Sequence, residues 1–144
     1  MKRRLKKGAN KFIKMTGNRF LPDTSIITAW LKGESKIADK IYNAEEINIP
    51  IIVPGELYYG ALYSTQKQKN LNNIKSITSH YNVLQIDEAT TVAYENIKTA
   101  LREKGKPIPQ NDIWIAAIAQ RFNFIVGSRD KHFKEIVDIN LKSW

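Results

Sequence analysis

Apolar residues recur along this chain in two rhythms that take turns. Residues 19–23 (Arg-Phe-Leu-Pro-Asp) read as a short strand ending at Asp23. Ile26, Ile27, Trp30 and Leu31 then share one face of a helix, and Gly33 stops it. A second helix is expected over residues 35–43. The β-branched run over residues 47–53 predicts a buried strand. Pro54 and Gly55 open a further helix reaching residue 63, with the proline near its first turn. In the polar segment 66–80, Leu71, Ile74 and Ile77 are spaced for one helix face. A third strand is expected over 81–86, a long helix over 88–104, and a loop over 105–111, which is rich in Gly and Pro. Residues 112–121 are apolar almost all round, which predicts a buried helix. Its Ala116, Ala117 and Ala119 let backbones approach closely. A fourth strand over 124–127, a turn of helix over 130–133 and a fifth strand over 136–139 complete the pattern.

Strands alternating with helices predict an α/β fold: a mostly parallel, Rossmann-like sheet of four to five strands with helices on both faces. Ligands in such sheets bind beyond the carboxyl ends of the strands. The strand-to-helix junctions are therefore where chemistry is expected.

Composition narrows the possibilities. The chain has 144 residues, 42% of them hydrophobic, enough for one domain with a real core. It has no cysteine, which excludes a disulfide scaffold, a thiol nucleophile and thiolate metal sites, and suits a reducing, cytoplasmic setting. No apolar run approaches the roughly 20 residues of a membrane span. Of the 23 basic residues, seven lie in residues 1–14 with no acid among them, leaving 16 basic residues against 14 acids from residue 15 onward. Most of the net charge of +9 thus sits in an N-terminal arm, and the remainder of the chain is nearly neutral. The expected division is a basic, flexible arm over residues 1–18 and a folded domain over 19–144. The arm could reach phosphates electrostatically, serve as a solubilising tail, or precede a true start at Met15.

Four acids occupy the junctions. Asp23 ends the first strand, Glu56 lies in the first turn after the second, Asp112 starts the buried helix, and Asp130 follows the fourth strand. Each alone could be a helix cap or a partner for a helix dipole. Asp87 holds the same kind of junction, and plain capping serves for it. As a set the four are costly. Carboxylates about 5 Å apart, in an effective dielectric near 20, repel by roughly 3 kcal/mol per pair. A hard divalent cation, Mg²⁺ or Mn²⁺, would relieve this and suits all-oxygen ligands. Such an ion can activate water against a phosphodiester. His80 reads as a surface residue at a helix end. His132, near Asp130, could touch substrate, but packing is the favoured reading. Asn111 could orient Asp112 or make a turn, with the turn favoured. No Ser-His-Asp arrangement and no Gly-rich phosphate loop is apparent.

In four segments the sequence resembles the PIN domain family and, within it, the VapC-type toxins of prokaryotic toxin–antitoxin modules. The segments are Leu21-Pro22-Asp23-Thr24-Ser25; Val53-Pro54-Gly55-Glu56-Leu57 with Gly60; residues 109–117, from Pro109 through Asp112 to Ala117; and Ser128-Arg129-Asp130-Lys131-His132-Phe133. The resemblance implies a PIN-like domain over 19–144 and Mg²⁺- or Mn²⁺-dependent endoribonuclease activity. It also implies a homodimer and a cognate VapB-like antitoxin, with transfer RNA the foremost substrate. Asp23, Glu56, Asp112 and Asp130 match the family's acidic quartet. Ser25 and Ser128 match its site-ordering small polar residues. Pro22 stands where an ordinary apolar strand residue is usual, and because proline cannot donate to a ladder, a frayed or bulged strand end is expected.

Arg129, Lys131 and Lys106 flank the expected site and are candidates for RNA phosphate contacts. Tyr58, Tyr59 and Tyr63 could stack on bases, with a dimer or antitoxin contact preferred. Trp30 and Leu31 read as core or as part of an antitoxin groove, and Trp144 as docked or free. Two other functions compete. A phosphatase of similar fold would want a second acid two positions after the first, where Ser25 stands. A non-catalytic PIN-like module for RNA binding or assembly would be expected to have lost acids, and all four are present.

Overall fold

The computed structural model describes residues 19–144, and the arm expected over 1–18 lies outside the described residues. Five strands form one parallel sheet: β1 (Arg19–Pro22), β2 (Glu46–Pro50), β3 (Asn82–Leu84), β4 (Ile125–Ser128) and β5 (Asn140–Ser143). Their order across the sheet is β3-β2-β1-β4-β5. The helices are α1 (Thr24–Leu31), α2 (Ser35–Asn43), α3 (Ile52–Leu62), α4 (Lys67–His80), α5 (Glu88–Glu103) and α6 (Gln110–Phe122), followed by a 3₁₀ turn at Lys131–Glu135.

The α/β expectation holds, and most elements lie where the pattern put them. Gly33 and Gly105 end their helices with positive φ, 86° and 71°, a conformation that suits glycine. Three elements differ. Residues 51–53 are not strand: Pro50 ends β2, Ile51 is the N-cap of α3, and Ile52 and Val53 open the helix. Pro54 falls within the first turn, where its missing N–H would have had no intrahelical partner. The fifth strand runs over Asn140–Ser143 instead of 136–139, pairing with β4 from Ile125↔Asn140 to Ser128↔Ser143. The third strand is shorter than expected, three residues.

Pro22 is neither frayed nor bulged. It holds register with Gly127, and the next N–H, of Asp23, donates to Gly127 O at 2.9 Å. Ile51 N–H likewise reaches Leu84 O at 2.9 Å, after Pro50. Successive strand residues turn their backbone groups to opposite neighbours. The missing donors of Pro22 and Pro50 therefore both face the β1–β2 seam, where the register ends at Phe20↔Ile47.

Helices cover both faces. The main cluster joins Leu21, Ile49 and Val126 of the sheet to the buried face of α6 and to Ala93, Ile97 and Leu101 of α5. In α6, Ile115, Ala116, Ala117 and Ile118 are fully buried, in line with its all-round apolar sequence. A smaller cluster holds Ile26, Ala29, Ile37 and Ile41 of α1 and α2, with Trp144 packed against it. Trp144 is docked: its ring meets Phe20 edge-on at 4.9 Å, and its backbone N–H donates to Ser128 O at 3.2 Å. The chain turns from β1 to β2 on one side and to β4 on the other. The β1–β4 boundary is thus the topological switch point, and Asp23 and Ser128 stand at its carboxyl edge.

Candidate active site

Asp23 leaves β1 in extended conformation and caps α1. Its Oδ1 accepts from Ile26 N–H at 3.0 Å and Ser25 Oγ at 2.6 Å. Its Oδ2 accepts from Ser128 Oγ at 2.5 Å. Ser128 Oγ in turn accepts from Asp130 N–H at 2.8 Å, so one hydroxyl ties the end of β4 to both acids. Asp23 is 2% exposed, and burial pushes its carboxyl above the ordinary value of 3.8. The bonds from Ser128, Ser25 and Ile26 oppose that shift, while the Asp130 charge adds to it.

Asp112 sits in the first turn of α6. The cap position belongs to Pro109, so the carboxylate is free of a capping duty. Burial raises its pKa, with Asp130 and Asp23 adding repulsion and His132 opposing. Asp130 precedes the 3₁₀ turn and makes no side-chain cap bond. Glu56, on α3, is held from both sides. Thr24 Oγ1 donates to its Oε1, and Asn111 Nδ2 donates to its Oε2 at 3.0 Å.

All four acids line one cleft of about 430 Å³, together with Thr24, Ser25, Pro109, Gln110, Asn111 and His132. Asp87, the comparison acid, lies elsewhere. It caps α5 through Thr90 and pairs with Arg121 at 2.9 Å, which together hold its carboxyl far below the usual range.

Two expectations change. His132 is not packed into the core. The 3₁₀ turn buries its neighbour Phe133 completely and turns His132 to the cleft, with Nδ1 3.2 Å from Asp112 Oδ2. Asn111 is not a turn residue. It lies in α6 and serves Glu56, not Asp112. Thr24, which holds Glu56, carries no signal in the sequence beyond its position beside the first acid. Ser25 and Ser128 both bond Asp23. Arg129 forks onto Glu34, with its nitrogens 2.5 and 3.1 Å from the two carboxylate oxygens. Lys131 and Lys106 are exposed and do not line the cleft. Tyr59 and Tyr63 are exposed, their rings edge-on at 5.4 Å, and Tyr58 is partly so, which excludes a core role for this face of α3.

Among the described residues, ligand atoms of Asp112, Asp130 and His132 lie within 4.8 Å of one another, a spacing open to a metal ion. The donor set fits a divalent cation. The carboxyls of Asp23 and Asp112 are both raised by burial and by the charge of Asp130, and a positive ion among the three would relieve both effects. No described helix is long and apolar enough to cross a membrane.

Comparison with known proteins agrees with this geometry. The PIN domain family matches residues 20–139. Ribonuclease VapC2 of Rickettsia felis is 32% identical over 119 residues, 76% of this chain and 88% of that protein. The tRNA(fMet)-specific endonuclease VapC of Shigella flexneri is 26% identical over 129 residues, 88% of this chain and 98% of that protein. The crystal structure of VapBC2 from Rickettsia felis bound to a promoter DNA fragment superposes with a TM-score of 0.79 at 27% identity, covering 87% of this chain and 98% of that one. The chain belongs to the PIN domain family and, within it, to the VapC-type proteins.

Proposed function

We propose that this protein is a divalent-metal-dependent endoribonuclease, the toxin of a VapBC-type pair, working in the cytoplasm with transfer RNA as its substrate. The observation that carries the reading is the meeting of Asp23, Glu56, Asp112 and Asp130, drawn from four separate junctions, in one cleft. The names of the relatives, a VapC ribonuclease and a tRNA-specific endonuclease, support the substrate class.

Asp112 and Asp130, with Asp23 behind them, would hold Mg²⁺ or Mn²⁺, which when bound supplies Lewis-acid activation of water and neutralises phosphate charge. The chain's own residues set the stage for that ion. Ser25, Ser128 and the Ile26 N–H fix the Asp23 carboxylate against rotation. Thr24 and Asn111 hold Glu56 at the rim, where it can accept a proton from water approaching a phosphodiester. Lys131 and Lys106 remain candidates for the RNA backbone beyond the cleft. Arg129 would have to leave Glu34 to join them.

For partners, a VapB-like antitoxin and a second copy of the chain are the expected ones. The exposed Tyr59 and Leu62 of α3, with Tyr63 at its C-cap, offer an apolar surface for one of them.

The test is cleavage of purified tRNA by the full chain in Mg²⁺ or Mn²⁺. Wild type should cut. EDTA, Asp112→Asn and Asp23→Asn should each abolish cutting, and Asn at position 23 should keep the cap and the fold. Tight RNA binding with no cleavage in any metal would favour the non-catalytic module instead.

A further inference from the structure

We propose that His132 is a nitrogen ligand of the bound ion and makes this site select Mn²⁺ over Mg²⁺. The inference rests on the metal-dependent reading above and goes beyond the four acids.

Three observations lead to it. The His132 ring is close: Nδ1 lies 3.2 Å from Asp112 Oδ2, and the ligand atoms of Asp112, Asp130 and His132 all fall within 4.8 Å of one another. Donors on opposite sides of an ion, each about 2.1 Å from it, stand roughly 4.2 Å apart. The trio therefore needs only a small contraction to share one ion. The backbone beneath the ring is anchored, since Phe133 is fully buried and Ile136 N–H donates to Phe133 O at 3.1 Å. The ring itself is not committed to packing, with 46% of its side chain exposed. It can complete the ligand set without unfolding anything.

The choice of ion follows from the donor. Mg²⁺ takes oxygen ligands in a near-ideal octahedron and keeps its waters. Mn²⁺ shares the liking of Mg²⁺ for carboxylates but, as a first-row transition ion, accepts an imidazole nitrogen more readily, so replacing one carboxylate or water by His132 shifts preference from Mg²⁺ toward Mn²⁺.

The chain has only two histidines. His80 lies at the end of α4, its Nδ1 2.7 Å from Ser76 O, and does not line the cleft. Pulsed electron paramagnetic resonance on the untagged full chain with one equivalent of Mn²⁺ therefore reads His132 directly. Wild type and His80→Gln should both show the coupling of a directly bound imidazole nitrogen, and His132→Gln should lose it. Calorimetry should show Mn²⁺ binding roughly tenfold weaker in His132→Gln, with Mg²⁺ binding changed less than twofold. Mn²⁺ bound to wild type without nitrogen coupling would overturn the proposal and leave the carboxylate site standing. Equal weakening of both ions in His132→Gln would also overturn it. Failure of wild type to bind Mn²⁺ at all would remove the metal-dependent reading, and this proposal with it.

Discussion

Ser128 Oγ donates to Asp23 Oδ2 at 2.5 Å, across 105 positions of sequence and across the β1–β4 boundary. The same oxygen accepts from Asp130 N–H, so the hydroxyl couples a buried acid to the loop that carries an exposed one. Removing it leaves a nearly inaccessible carboxylate short of a partner. Ser128→Ala is expected to cost about 1.5–3 kcal/mol at neutral pH, the range for a hydrogen bond to a charged group. Urea unfolding of the metal-free protein measures it, and a loss under about 0.5 kcal/mol would mean that the bond contributes nothing.

The raised carboxyls of Asp23 and Asp112 give the metal-free protein a pH dependence of known sign. Between the ordinary value of 3.8 and their higher folded values, the native state holds more protons than the unfolded chain. Stability from these two groups therefore falls as pH rises through that window and stays low above it. Asp87 acts oppositely, since its lowered pKa contributes stability that is lost as pH falls below 3.8. The difference between wild type and Asp23→Asn isolates the first effect. Unfolding curves from pH 3.5 to 7.5 should show the variant gaining on wild type as pH rises. At pH 7, Mn²⁺ at a hundred times its dissociation constant should return about 2.7 kcal/mol to wild type, and EDTA should remove it.

Asn111 reaches Glu56 at 3.0 Å from an exposed position. Asn111→Ala should lower the rate of RNA cleavage roughly tenfold, in the range of lost outer-shell contacts, with no shift of the unfolding midpoint. Adding Thr24→Val should lower the rate further, because Glu56 then loses both of its tethers. An unchanged rate in the double variant would show that Glu56 needs no orientation.

Gly127 leaves room for the Trp144 ring. A methyl group there would meet ring atoms at 3.2 to 3.4 Å. Gly127→Ala should cost about 1–2 kcal/mol through that crowding. Pairing it with Trp144→Ala should give a double variant less destabilised than the sum of the two, which a thermodynamic cycle on the full chain resolves.

Much of this arrangement is legible in the sequence. Ile26, Ile27 and Trp30 marked α1, Gly33 and Gly105 marked helix ends, and the four acids stood at junctions that a parallel sheet brings to one edge. Residues 51–53 misled because β-branched residues suit strand and buried helix alike, and only the end of the β2 ladder at Pro50 decides between them. Strand β5, expected over 136–139, forms a few residues later for the opposite reason. Asn140–Ser143 is a mostly exposed edge strand with little apolar pattern, held by pairing with β4 and by the docked Trp144. His132, Asn111 and Thr24 act through contacts 20, 55 and 32 residues away. Nothing in local spacing distinguishes such a role from a cap or a turn.

The most direct test of the acid cleft as a metal centre is anomalous X-ray diffraction from crystals of the full chain grown with Mn²⁺. The expected result is a manganese peak bound by Asp112 and Asp130 beside Asp23, absent in Asp112→Asn. Saturating Mn²⁺ that leaves this cleft empty, or that settles only elsewhere on the surface, would contradict it.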